Sequence, residues 1–84
     1  MDIREDFARN LRKFRRQKGL SQEALAHEAG VDRTYISALE RCVYSASIAM
    51  VEKLATVLGV EPVDLLQRPP KAGGTKAKPK PKPK

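Results

Sequence analysis

From Phe7 onward apolar residues return every three or four positions, the period of a helix that buries one face. Phe7, Leu11 and Phe14 form the first such stripe; Leu25, Ala26 and Ala29 form the second; Ile36 and Leu39, with Val31 leading in, form the third. A fourth helix is expected from about Ser47 to Leu58, with Ile48, Val51, Leu54, Ala55 and Leu58 on its core face. A short fifth follows from Pro62 through Leu66, proline being well placed in a first turn. No stretch alternates as a half-buried strand does, so the fold class is all-α. The expected core is Phe7, Leu11, Phe14, Leu25, Ala29, Ile36, Leu39, Ile48, Val51, Leu54, Leu58, Val60 and Leu65.

Polar punctuation divides these stripes. Asp2 with Glu5 three residues on, Ser21 and Asp32 each stand where a side-chain oxygen can accept the free N–H groups of a helix start. Leu20 before Leu25, and Val31 before Ile36, have hydrophobic-staple spacing. Gly19 and Gly59 supply stops, and Gly30 sits where the chain must turn sharply between the second and third helices. A small Ala26 one turn earlier lets those helices cross closely. Two short helices joined in this way make a helix-turn-helix, in which the second helix fits the major groove of B-DNA while the first braces it.

The chain resembles the Cro and phage-repressor type of DNA-binding protein, the XRE family. The matching residues are Leu20-Ser21-Gln22, the Ala26 and Gly30 pair, and Tyr35-Ile36-Ser37 to Leu39-Glu40-Arg41. The resemblance spans about Phe7 to Leu66 and implies a compact five-helix, lambda-repressor-like domain. Asp32 to Ser37 is similar to the recognition helix of the controller proteins of restriction-modification systems. The resemblance also implies that Arg15 and Glu40 form an ion pair from the first helix to the end of the third, that Gln22 hydrogen-bonds a phosphate, that Arg41 contacts the DNA backbone, and that position 38 lies where a base is read. Where the family has a glycine after Arg41, this chain has Cys42, at an expected cost of about 1 kcal/mol if the left-handed geometry is kept.

Base readout falls to the start of the third helix. Arg33 is the leading candidate, because its guanidinium can address O6 and N7 of guanine together. Thr34 and Ser37 offer a hydroxyl or a contact with a thymine methyl, and Ala38 offers apolar contact only. The candidates for backbone contact are Ser21, Gln22, Tyr35, Arg41, Arg16 and Lys18. A solvated face is an equally good account of an isolated Arg16 or Lys18. One recognition helix reads few base pairs, so a homodimer on an inverted repeat is expected. Its surface is assigned to Met50, Val60, Pro62, Val63 and Leu66, with closure of the small core as the competing role.

The 84 residues allow one small domain, and the formal charge is +7. The charge is uneven. Residues 69–84 hold six lysines and no acid, whereas residues 1–68 hold 11 basic against 10 acidic side chains, a net +1. The division expected is a helix-turn-helix domain over 1–68 and a disordered Lys/Pro-rich tail over 69–84. One cysteine allows no internal disulfide, no apolar run approaches a membrane span, and no signal-peptide pattern opens the chain, so a cytoplasmic protein is expected; the resemblance implies a bacterial or phage-type, nucleoid-associated one. One histidine and one cysteine make no metal site, the glycines make no phosphate loop, and no catalytic constellation is present. No enzyme activity and no cofactor are expected.

The function expected is therefore sequence-specific transcriptional regulation through double-stranded DNA, including the protein's own promoter, with carriage on mobile genetic elements implied by the resemblance. RNA polymerase or an antagonist protein are further candidate partners. The competing function is an antitoxin-like or other protein-binding module. A nonspecific nucleic-acid binder is a third class, set against the near-neutral body.

Overall fold

A computed structural model of the chain describes residues 2–68, which form five helices and no strand. They are α1 (Ile3–Gln17), α2 (Gln22–Ala29), α3 (Arg33–Glu40), α4 (Ile48–Leu58) and α5 (Pro62–Leu66). The expected tail of residues 69–84 lies outside the described residues. Around a core led by Leu11, Leu25, Ile36, Leu39, Leu54 and Leu65, α2 crosses α3, α1 packs on α3 and α5, and α4 packs on α2 and α5. Burying a leucine or isoleucine fully contributes about 1.5–3 kcal/mol, so these six side chains dominate the stabilisation of a domain this small.

The starts of the helices follow the polar punctuation with one exception. Asp2 accepts the Arg4 N–H, Ser21 the Ala24 N–H and Ser47 the Met50 N–H. At α5 the Asp64 carboxylate accepts the Glu61 N–H at 3.0 Å. Asp32 occupies the same extended geometry before α3, yet its side chain caps no N–H group. Its carboxylate accepts the Thr34 hydroxyl instead.

The ends are built alike. After α2, Gly30 takes φ +74 and the chain closes with Val31 N–H on the Ala26 carbonyl at 2.9 Å. After α3, Cys42 takes the same left-handed conformation, φ 63, with Val43 N–H on the Ala38 carbonyl at 2.9 Å and Cys42 N–H on that of Leu39 at 3.2 Å. The turn that usually calls for glycine is thus kept with a side chain in it. Cys42→Gly should stabilise the domain by about 1 kcal/mol, read as a higher urea midpoint with unchanged slope.

Ile48 corrects the expected core. It is the first residue of α4, ahead of the turn that packs inward, and it is 88% exposed. Phe14 and Val60 are only partly buried but do pack against the core. The remaining expected core residues are buried as read.

A polar clamp unmarked by any apolar stripe holds α5 and the residues just after it to α1. Asn10 Nδ2 donates to the carbonyls of Leu65 and Gln67 at 3.0 and 2.7 Å. Asp6, buried beside it, accepts from Arg9 and, at 3.0 Å, from Arg68. Burial raises the pKa of the Asp6 carboxyl, but the two arginine hydrogen bonds outweigh it and hold the group below the usual carboxylate range.

Candidate nucleic-acid interface

α3 is held at its far end by a buried charged network. Glu40 accepts Arg15 Nε at 2.6 Å and Arg15 Nη2 at 3.1 Å, while Arg15 Nη1 donates to the Leu20 carbonyl at 2.9 Å. Both charged side chains are buried, 11% and 3% exposed, so the bidentate pair is largely withdrawn from water. Such a pair fixes orientation more than it adds net stability. It joins α1, the entry to α2 and the last turn of α3 in one unit.

Gln22 belongs to the same unit. Its Nε2 donates to Glu40 Oε1 at 3.1 Å, so one of its two amide N–H groups is committed inside the protein and the other is left for an outside acceptor. Through this bond the start of α2 lies beside the end of α3, which brings together Ser21, Gln22 and Arg41. Ser21 uses a lone pair in capping Ala24 and keeps its hydroxyl hydrogen. Arg41 is exposed directly after Glu40; Arg16 is exposed on the last turn of α1 and Lys18 just after it, a few residues before Ser21. The start of α2 keeps backbone N–H groups free of intrahelical partners, a general setting for anions.

The other end of α3 is open. Asp32, Arg33 and Thr34 are exposed in succession, and Arg33 makes no hydrogen bond or ion pair among the described residues. Ser37 is half-buried one turn further along. Tyr35 is half-buried against the core and lies 6.2 Å from the Tyr44 ring, in the loop after α3. That loop partner had no periodicity or motif to announce it.

Two expectations for this surface need correction. Ala38 is only 5% exposed, so its methyl group is withdrawn from the surface that would meet a base. Thr34 has its hydroxyl hydrogen committed to Asp32, which leaves it a methyl group and a lone pair for the groove.

The expected dimer residues divide as well. Met50 and Val60 are half-buried against the core and keep only part of their surface exposed. Pro62, Val63 and Leu66 point outward on α5, which packs on α1 and α4 and leaves the α2–α3 surface clear. Leu66 and the exposed Ile3 flank an apolar cavity of about 150 Å³ lined by Phe7, Ala46 and Val51. Among the described residues no His, Cys, Asp and Glu side chains are grouped to hold a metal ion, and no helix is long and apolar enough to cross a membrane.

Five helices with a braced helix-turn-helix define a DNA-binding class of domain, and the chain belongs to the helix-turn-helix family HTH_3, whose model matches residues 11–65. It is thereby an XRE-family transcription-regulator domain. It is 47% identical over 68 residues to a hypothetical transcription factor of Neisseria meningitidis, covering 81% of this chain and 64% of that protein. The structure of that factor superposes with a TM-score of 0.79. The restriction-modification controller protein C.AhdI of Aeromonas hydrophila superposes at 0.71 with 44% identity, over 74% of this chain and 94% of that one. SinR, a master regulator for biofilm formation solved in complex with DNA, superposes at 0.69 with 35% identity, over 73% and 98% of the two chains.

Proposed function

We propose that the protein regulates transcription by binding an inverted-repeat operator as a homodimer, with α3 of each protomer in the major groove, and that one such operator lies at its own promoter. The observation that carries this is the pairing of an exposed, unpartnered Arg33 at one end of α3 with a buried Arg15–Glu40–Gln22 lock at the other. A helix clamped at its far end presents its near end at a fixed angle, which base reading requires. Arg33 reads guanine, with Ser37 and the methyl of Thr34 adding contacts, while Gln22, Arg41, Arg16, Lys18, Ser21 and Tyr35 set the register on the backbone. A restriction-modification controller protein and a regulator solved in complex with DNA stand among the relatives, which supports a DNA-binding role. The six lysines of residues 69–84 add attraction that is independent of sequence and weakened by salt.

The dimer surface assigned is the outward face of α5 with its neighbours, Pro62, Val63, Leu66 and Ile3. Footprinting on the DNA upstream of the protein's own gene tests the operator. It should show a protected inverted repeat with half-sites about one helical turn, roughly 34 Å, apart. Leu66→Glu should shift the protein from dimer to monomer in sedimentation and reduce protection to single half-sites at raised concentration. Protection that ignores sequence, or an unchanged dimer in Leu66→Glu, would count against the operator and the interface respectively.

A further inference from the structure

We propose that Asp32 determines specificity: it is an acceptor held at the tip of α3 to take a hydrogen bond from an amino-bearing base next to the guanine read by Arg33. This presupposes the DNA-binding role proposed above and adds to it a second, oppositely charged reading group.

The first ground is what Asp32 does not do. Ser21 and Ser47, in the same position on α2 and α4, accept N–H groups at 2.9 and 3.1 Å. Asp32 has the same extended backbone, φ −80 and ψ 146, and a side chain that caps helices well. Its carboxylate nevertheless leaves those N–H groups alone and accepts the Thr34 hydroxyl through Oδ2. One oxygen is thereby fixed and the other, Oδ1, is left free on an exposed residue. Among the described residues no cation lies within ion-pair distance to neutralise it.

The second ground is the chemistry of the surface it would meet. A carboxylate carried toward phosphates is repelled on any sequence, so it is tolerated only where a donor waits for it. In the major groove the donors are N4 of cytosine and N6 of adenine, whereas guanine and thymine show acceptors that a carboxylate opposes. Arg33, the next residue, is donor only. The two together present donor beside acceptor and match a guanine beside a cytosine or adenine. Thr34, whose hydroxyl holds the carboxylate in place, acts as a positioning residue for Asp32.

The test uses the full chain and four proteins: wild type, Asp32→Asn, Thr34→Val and Arg33→Ala. Each is titrated onto a duplex enriched from a random pool by the wild type, onto variants of the base pair next to the guanine, and onto an unrelated duplex. Melting temperatures are recorded alongside. The amide of Asp32→Asn can donate as well as accept, so discrimination between amino-bearing and keto bases at that pair should fall by at least about fivefold. Preference for the guanine and the melting temperature should stay unchanged, and affinity for the unrelated duplex should rise. Thr34→Val should lose the same discrimination with no fall in melting temperature, because the released carboxylate can cap α3. Unchanged discrimination in Asp32→Asn, beside an Arg33→Ala that has lost its guanine preference, would overturn the role of Asp32 and leave the DNA-binding proposal standing. A lowered melting temperature with equal loss on every duplex would also overturn it, by making Asp32 structural. Unchanged sequence preference in both Asp32→Asn and Arg33→Ala would overturn the DNA-binding proposal itself.

Discussion

Glu40→Ala is expected to destabilise the domain by about 3–5 kcal/mol, the range found when one partner of a buried ion pair is removed. The Arg15 side chain, 11% exposed, would keep only the Leu20 carbonyl as acceptor, and the Gln22 amide would lose its partner. Small domains have about 5–15 kcal/mol of stability in total, so much of it would be gone. Urea unfolding followed by circular dichroism measures the change. Replacing both Arg15 and Glu40 with methionine should restore most of the stability, because paired apolar side chains of similar volume avoid the desolvation of two charges. DNA binding should not recover in step, since methionines fix no angle between α1 and α3. A double variant with both stability and operator affinity at wild-type levels would show that the pair orients nothing.

Arg33→Ala should leave the melting temperature within error and remove most of the preference for guanine. A bidentate arginine contact is worth about 1–3 kcal/mol of discrimination per half-site, or roughly 5- to 150-fold, and a dimer loses it twice. Affinity for an unrelated duplex should drop far less, by the share of a single exposed charge. Arg33→Lys tests the geometry. It keeps the charge without the fork and should hold nonspecific affinity while losing discrimination.

The helix pattern was legible because burial in this chain is one-sided. Leu11, Leu25, Ile36, Leu39, Leu54 and Leu65 recur at helical spacing and are the most deeply buried side chains. The stops at Gly30 and Gly59 and the cap at Ser21 depend on one or two residues each, so they too could be read locally. Ile48 escaped that logic. At the first helical position a residue lies ahead of the turn that packs, and its place in the period says little about its exposure. Ala38 failed the other way: expected at the DNA surface, it is buried.

Polar side chains were less legible still. Whether Asp32 caps α3 or takes the Thr34 hydroxyl is a choice between two short-range hydrogen bonds that identity alone does not decide. Asn10 had a weak signal, being a poor helix former mid-helix, but its acceptors lie 55 and 57 residues away. The Arg15–Glu40 pair, 25 residues apart, was foreseen only through the family resemblance. The bond from Gln22 to Glu40, which joins the two ends of the helix-turn-helix, was not foreseen at all.

Enrichment of bound duplexes from a random pool by the full chain addresses the central claim most directly. With α3 braced at its far end and exposed at its start, the winning set should converge on an inverted repeat with a guanine in each half-site, and convergence should weaken when the same pool is offered to Arg33→Ala. A pool that stays random through successive rounds while protein remains folded and bound, or that converges on the same repeat without Arg33, would contradict it.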